Sequence, residues 1–337
     1  MILFDFGYER ASTAEDAVAR LARLGCDARL LAGGTDLLPN MRSELVKPGT
    51  LVSLKGLAPE PPRALAGGSI RIDALTRLAS LERSELVRER LPMLAMAARA
   101  VGSNQIREMG TLGGNLCQET RCLYLNQRHD YQFSAPCFKR GGECCYPFPR
   151  NKHDICWSVH MSDIAPALVA FDASVEILGE GASRSVGIEE LFSGSGLRPL
   201  NLQGAELVRS VSIPGRPARW GWGFHKSSVR GGLEFGMAVC AVSVRTEDDG
   251  KTCAEARIAL GAVRERPVRA LEAERLLAGA VLDKARMARA ASEAAKEVNP
   301  LPHHGFTKRH LLDNLMVYLR RTLEQALERA REGERAC

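Results

Sequence analysis

The stretch Ala28–Pro39, ARLLAGGTDLLP, decides how the rest of the chain is read. Its first five residues form a short apolar run of strand length and pass directly into Gly33-Gly34-Thr35-Asp36. A short helix and a second apolar run, TLVSL at 50–54, complete a small βαβ-like unit. A glycine pair after a strand lets the backbone come close to a ligand, and successive amides of such a turn can cradle phosphate oxygens. The pair is not the G-x-G-x-x-G dinucleotide fingerprint, and plain turns use the same residues. Upstream, Ser12 with Glu15 reads as a capping box opening a helix on Ala14, Ala17, Val18, Leu21 and Leu24.

Moving outward, a second glycine turn, TLGGN at Thr111–Asn115, follows the helical run LPMLAMAARAVG, which Pro92 can start at the first helical position. Two such turns strengthen the phosphate reading. Ser162-Asp163-Ile164-Ala165-Pro166 then precedes strand-like alternation at SVEILG, AELVRSVSIP, GWGFHKSS, MAVCAVSVR and ARIALGAV. From Pro267 the pattern turns helical, in RALEAERLLAG, DKARMARAASEAAKEV and HLLDNLMVYLRRTLEQALERAR, with an Asn-Pro-Leu-Pro break before the last. The chain reads as α+β, with no internal repeat.

Composition narrows the class of function. The 337 residues are 45% hydrophobic and 26% charged, enough for a sizeable core and two or three domains. Net charge is +6, but 46 basic and 40 acidic residues are interspersed and aromatics make up 5%, so no stripe or stacking platform for nucleic acid stands out. The most apolar stretch, IAPALVAFDASVEIL, is broken by Asp172 and Glu176 and falls short of a membrane span. The opening residues MILFDFGYERASTAEDA show neither a basic nor an apolar leader segment, so a cytoplasmic location without persistent disulfides is expected.

The clearest interruption is CLYLNQRHDYQFSAPCFKRGGECCYPFPRNKHDIC, which carries Cys122, Cys137, Cys145 and Cys156 in a segment with neither helical nor strand period. Iron–sulfur clusters are held by cysteine thiolates, usually four. The spacing C-x14-C-x7-C-x10-C matches neither the tight ferredoxin run nor the paired cysteines of a zinc site, so cluster, structural zinc and unliganded thiols all stay open on spacing alone. Cys26, Cys240 and Cys253 sit in helix or strand patterns and read as small buried apolar residues. His129, His153, His160, His303 and His304 are scattered and receive no catalytic role.

Taken in order, LLAGGTDLLP, TLGGN, SDIAPAL, ELVRSVSIP and Lys226 with Arg230 resemble the FAD-binding subunits of the xanthine dehydrogenase and molybdenum hydroxylase family over essentially the whole chain. In most of that family the second glycine turn runs almost directly into S-D-x-x-P. Here residues 116–161 intervene, and a cysteine insertion at that point is similar to the medium (β) subunit of 4-hydroxybenzoyl-CoA reductases, which binds a [4Fe-4S] cluster besides FAD. The resemblance implies a two-lobed, PCMH-like FAD-binding domain plus an α+β C-terminal domain. Residues 1–55 would be a small lobe, 56–216 a larger lobe with the insertion at about 118–160, and 217–337 a CO-dehydrogenase-flavoprotein-like domain.

The resemblance also implies roles for single residues. Arg29, Leu30, Leu31, Ala32, Gly33, Gly34, Thr35 and Asp36 match the first FAD loop, with the amides of Ala32–Thr35 on the pyrophosphate. Val101 and Gly102 match a flavin-lining segment, and Thr111, Gly114 and Asn115 a turn meeting the pyrophosphate and ribityl portions. Asp163 matches an acid that hydrogen-bonds sugar hydroxyls, a helix N-cap being its plainer reading. Lys226 matches a lysine near the isoalloxazine, where positive charge favours anionic reduced flavin; a solvated strand residue is its plainer reading. Cys122, Cys137, Cys145 and Cys156 match the cluster ligands, with Cys144 the ambiguous neighbour and Cys117 a weaker candidate.

On the same resemblance the partners would be a large molybdopterin subunit and a small subunit with two [2Fe-2S] centres, as a dimer of heterotrimers. Reduced ferredoxin would be the donor, and no catalytic residue would lie on this chain. Arg121, Arg128, Lys139, Arg140, Arg150 and Lys152 outnumber Glu119, Asp130, Glu143 and Asp154, suggesting a basic dock for an acidic ferredoxin at Lys139 and Arg140. Two alternatives remain: the FAD subunit of another molybdenum hydroxylase acting on a purine, N-heterocycle or aldehyde, and a zinc-stabilised interaction protein without flavin.

Overall fold

The computed structural model describes residues 3–127, 135–149, 155–302 and 305–335. The first sheet is parallel and built from β1 (Gly7–Arg10), β2 (Ala28–Leu31) and β3 (Thr50–Ser53) in the order β1-β3-β2, with α1 (Ala14–Leu24) and α2 (Leu37–Arg42) as connections. Ala28 to Leu31 pair with Thr50 to Ser53, which is the expected βαβ unit; β1, whose GYER carries little apolar pattern, joins it at Gly7–Thr50. The helix start differs by one residue from expectation. Thr13, not Ser12, is the N-cap of α1, accepting from the Asp16 amide at 2.9 Å, and Asp16 reaches back to the Ser12 amide at 2.8 Å. Ala17, Val18 and Leu21 of α1 cover one face of the sheet with Val52 and Leu54, while Leu31, Met41 and Leu51 fill the other. Fully burying Leu51 or Val52 contributes about 1.5–3 kcal/mol each.

The middle sheet is antiparallel, in the order β4-β5-β8-β6-β7, from β4 (Arg63–Ala64), β5 (Ile70–Asp73), β6 (Ser174–Leu178), β7 (Ser183–Gly187) and β8 (Leu207–Ile213). Against it pack α3 (Leu78–Arg83), α4 (Glu85–Arg90), α5 (Pro92–Arg99), α6 (Asn104–Met109), α7 (Leu112–Leu116) and α8 (Ile164–Ala170). Pro92 starts α5 as its sequence position predicts. Every residue of α8 is buried, so an all-apolar helix rather than an amphipathic one forms the centre of this core, beside Leu94, Leu112 and Phe171.

The C-terminal sheet runs β12-β11-β10-β9, from β9 (Trp220–Ser227), β10 (Ala238–Thr246), β11 (Cys253–Gly261) and β12 (Val268–Arg269), backed by α9 (Leu271–Leu277), α10 (Lys284–Lys296) and α11 (Lys308–Arg335). β10 is buried on both faces: Val239 and Ala241 face the middle core, and Cys240 and Val242 face the helices. That two-sided burial explains its unbroken apolar sequence. It also joins the two cores, bringing Lys226 on β9 next to Asp163 at the start of α8. Cys240 and Cys253 are buried, as small apolar residues would be, but Cys26 is exposed, because it falls in the turn Gly25–Asp27 after α1 rather than on the helix's buried face. Among the described residues no helix is long and apolar enough to cross a membrane.

Candidate functional site

Beyond β2 the chain turns through Gly33 and Gly34 into α2, and this loop forms one wall of a cavity of about 500 Å³. The amides of Gly33, Gly34 and Thr35 donate to no other described residue, so three adjacent donors face the cavity unspent. Successive free amides of this kind suit a pyrophosphate. Gly34 has φ +77°, a left-handed conformation that glycine adopts without strain. At Gly33 the reason for glycine lies inside the protein. A Cβ there would stand 2.1 Å from the Met109 carbonyl oxygen, so the loop can lie against the second turn only without a side chain.

The second turn contributes differently. Thr111 Oγ1 accepts from the Gly114 amide at 3.1 Å, and the amides of Leu112, Gly113 and Asn115 bond to Thr76, Ala74 and Thr111 carbonyls. Its backbone donors are therefore used internally, and it offers the cavity side chains and the bare Cα of Gly114. Arg29, Leu30 and Ala32 line the first cavity, whereas Leu31 points away into the core.

Thr35, Asp36, Thr111 and Gly114 also border an adjoining cavity of about 470 Å³ that reaches Val101, Gly102, Asn115, Asp163 and Lys226. The Lys226 ammonium pairs with Asp163 Oδ2 at 2.7 Å and donates to the Ala100 carbonyl at 2.9 Å. Their side chains are 9% and 5% exposed, so a paired but nearly dry positive charge stands at this end. Burial pushes the Asp163 carboxyl up to about 6, against the opposing pull of Lys226. Two expectations change here. Asp163 occupies the N-cap position but makes no cap bond; Ser162 Oγ takes the Ala165 amide instead, at 2.9 Å. Lys226 is not a solvated strand residue.

Sequence reasoning missed the tie between the first loop and the cysteine segment. Arg121 ion-pairs with Asp36, which also accepts from the Glu119 amide at 3.0 Å and from Asn40 at 3.1 Å. Burial outweighs the Arg121 charge in raising the Asp36 carboxyl. Arg121 also lies over the Phe235 ring, 5.3 Å from its centre. No local signal marks a pair 85 residues apart.

The insertion closes at its base, where Arg121 and Val159 exchange amide bonds of 2.7 and 2.8 Å. Within it, Cys137 and Cys156 are buried and Cys122 and Cys145 half-buried, all without a disulfide. The turn Gly141-Gly142 folds Cys144 back beside Cys137, with the Phe138 amide donating to the Cys144 carbonyl at 2.9 Å; a Cβ on Gly142 would stand 1.7 Å from the Pro136 carbonyl oxygen. The sulfurs acting most strongly on both Cys122 and Cys145 are Cys137 and Cys156, so the four thiols form one electrostatic group. The Leu125 amide donates to the Cys122 carbonyl at 3.1 Å and the Phe148 amide to the Cys145 carbonyl at 2.9 Å, while the Cys156 sulfur lies 3.1 Å from Ser158 Oγ. Burial pushes the Cys122 thiol up to about 11 and raises Cys145.

Three buried N–H donors in this segment, Arg121 Nε, Asn126 Nδ2 and Trp157 Nε1, have no acceptor among the described residues. Leaving such a donor unmet costs about 1–3 kcal/mol. Among the described residues no three His, Cys, Asp or Glu side chains close on a single ion. Four thiols without a disulfide and with spare N–H donors in the same segment fit a sulfide-bearing cluster, which would supply acceptor sulfurs as well as metal.

Lys139 and Arg140, the two cations expected to dock a partner, are already engaged. Lys139 reaches Glu119 at 2.5 Å and Thr120 at 3.1 Å with its side chain 10% exposed, and Arg140 bonds to the Leu125 and Gln127 carbonyls. Both are turned inward. Arg128, Arg150, Lys152, Asp130 and Asp154 lie outside the described residues, as do His129, His153, His303 and His304. His160 is buried and its ring bonds to the Leu116 carbonyl at 3.1 Å; burial lowers it to about 4, which keeps it neutral.

A two-part cavity with free amides in one half and a buried lysine in the other suits an extended phosphate-bearing cofactor. Residues 4–216 match the FAD binding domain in molybdopterin dehydrogenase, and residues 223–326 match the CO dehydrogenase flavoprotein C-terminal domain. The chain belongs to this molybdopterin dehydrogenase family, as an FAD-binding medium subunit. It is 33% identical to the aldehyde oxidoreductase FAD-binding subunit PaoB of Escherichia coli over 277 residues, 78% of this chain and 83% of that one. It is 28% identical to the carbon monoxide dehydrogenase medium chain of Afipia carboxidovorans, across 98% and 100% of the two chains. Reconstituted CO dehydrogenase from Oligotropha carboxidovorans superposes with a TM-score of 0.80 at 27% identity, covering 98% of this chain and 100% of that one. The mixed α/β architecture expected from the sequence is therefore the observed one.

Proposed function

We propose that this chain is the electron-transfer subunit of a heterotrimeric molybdenum enzyme and holds a [4Fe-4S] cluster on Cys122, Cys137, Cys145 and Cys156 besides FAD. The observation that carries the cluster is the presence in one insertion of four thiols without a disulfide together with unmet buried N–H donors. Bound FAD takes two electrons and releases them singly, and a [4Fe-4S] centre moves one at a time. The chain's own residues bind and orient. Gly33, Gly34 and Thr35 would hold the pyrophosphate, and Asp163 would hold the Lys226 ammonium in place at the flavin end. Arg121 would fix the insertion to the first loop. The partners would be a large molybdopterin subunit and a small subunit with two [2Fe-2S] centres, in a dimer of heterotrimers.

The four-cysteine insertion supports 4-hydroxybenzoyl-CoA reductase as the whole enzyme. In that case reduced ferredoxin supplies electrons through this chain, and the phenolic hydroxyl is removed at the large subunit. The 33% identity to an aldehyde oxidoreductase subunit favours a second reading, in which an aldehyde is oxidised and electrons leave through this chain. The co-purified complex decides between them. Turnover of 4-hydroxybenzoyl-CoA with reduced ferredoxin supports the first, and oxidation of aldehydes with an artificial acceptor supports the second. A complex active on neither substrate would overturn both.

A further inference from the structure

Two of the unmet donors belong to residues next to the cysteines, Asn126 bonded to Cys122 and Trp157 following Cys156. Asn126 is locked to Cys122: its Oδ1 accepts from the Cys122 amide at 2.9 Å and its own amide donates to the Cys122 carbonyl at 3.0 Å. The other arm of the same carboxamide, Nδ2, is buried without an acceptor. Trp157 follows Cys156, and its ring packs on Phe148 with centres 4.9 Å apart. The Phe148 amide donates to the Cys145 carbonyl at 2.9 Å, while the buried indole Nε1 of Trp157 has no partner among the described residues.

We propose that Asn126 Nδ2 and Trp157 Nε1 are N–H···S donors to the cluster and set its reduction potential, acting as positioning residues that are not ligands. The proposal rests on the cluster reading above. One-electron reduction places a further negative charge on the cluster and moves no proton. A fixed N–H dipole aimed at sulfur stabilises that charge, more so where water is excluded, and so raises the potential. An amide and an indole carry no charge of their own, so they can do this without adding a titrating group. The arrangement also accounts for two polar atoms that are buried without an acceptor among the described residues.

The test is a redox titration of the holo-protein, reduced with dithionite and read by low-temperature EPR, for wild type, Trp157→Phe and Asn126→Leu. Each substitution should lower the reduced-to-oxidised ratio at a fixed potential about tenfold, a midpoint shift of about 59 mV for a one-electron couple. The FAD midpoint should not move. Unchanged cluster midpoints with full iron content would overturn the proposal and leave the cluster standing. Iron-free wild-type protein would overturn the cluster itself. If a variant loses its iron, wild-type protein labelled with 15N-indole tryptophan answers instead. The other tryptophans, Trp220 and Trp222, lie on β9, so a nitrogen coupling to the reduced cluster supports the Trp157 donor and its absence overturns it.

Discussion

Replacing Gly33 with alanine should weaken FAD binding by loosening the contact between the two glycine turns. The added Cβ would lie 2.1 Å from the Met109 carbonyl oxygen, 2.8 Å from its carbon and 3.0 Å from Gly110 Cα. All three are backbone atoms, so relief requires the first loop to move away from the second by about 1 Å. Overpacking of this kind costs about 1–3 kcal/mol. If the bound state carries the strain, FAD affinity falls roughly 5- to 150-fold, at 1.4 kcal/mol per factor of ten. If the apoprotein carries it too, Tm falls by about 2–12 °C for a domain of this size. Gly34→Ala is the control: its penalty is the left-handed φ of +77°, about 1–2 kcal/mol, and its neighbours are the flexible ends of Leu31 and Leu38. Fluorescence titration of apoprotein with FAD and thermal melts with and without it separate these contributions. A Gly33→Ala protein with wild-type affinity and Tm would refute the packing argument.

Two further predictions concern the buried ion pairs. Arg121→Met leaves Asp36 without its counter-charge, and as the side chains are 19% and 23% exposed the loss should be about 2–3 kcal/mol, below the fully buried range. In a cycle with Asp36→Asn the coupling should reach about 1–3 kcal/mol; additivity within about 0.3 kcal/mol would deny the link between insertion and first loop. Asp163 has a folded pKa of about 6 against an ordinary 3.8, so it holds more protons folded than unfolded in that window. It thus contributes stability below the ordinary value that is lost as pH rises through 6. Lys226→Met moves the upper edge of that window higher, so the difference in Tm between variant and wild type should fall most steeply above pH 6. A flat difference from about pH 5 to 8 would contradict the assignment.

Local chemistry made much of the fold readable. The ARLLA and TLVSL runs pair as β2 and β3, Pro92 starts α5, and the three C-terminal helices follow their apolar spacing. What escaped was non-local. The cap of α1 moved to Thr13 because the adjacent Ser12 serves as partner to Asp16 instead. β1 has no apolar alternation, since it is an edge strand of a three-stranded sheet. The cofactor loops were identifiable as glycine turns, yet Gly33 serves protein packing, and the second turn spends its amides on itself. Asp163 and Lys226 were each placed at the site, but their pairing depends on β10 joining two cores. Lys139 and Arg140 looked like docking charges because composition cannot show that Glu119 and two carbonyls already hold them.

Whether the insertion holds a cluster is read directly on anaerobically purified protein from its iron, acid-labile sulfide and FAD content, with EPR after dithionite reduction. Wild type and Cys144→Ser should each carry about four irons and four sulfides per FAD with a cluster signal, and Cys145→Ser should lose that signal. FAD without iron in the wild type would contradict the account and reduce the chain to a flavin subunit with a cysteine-rich loop.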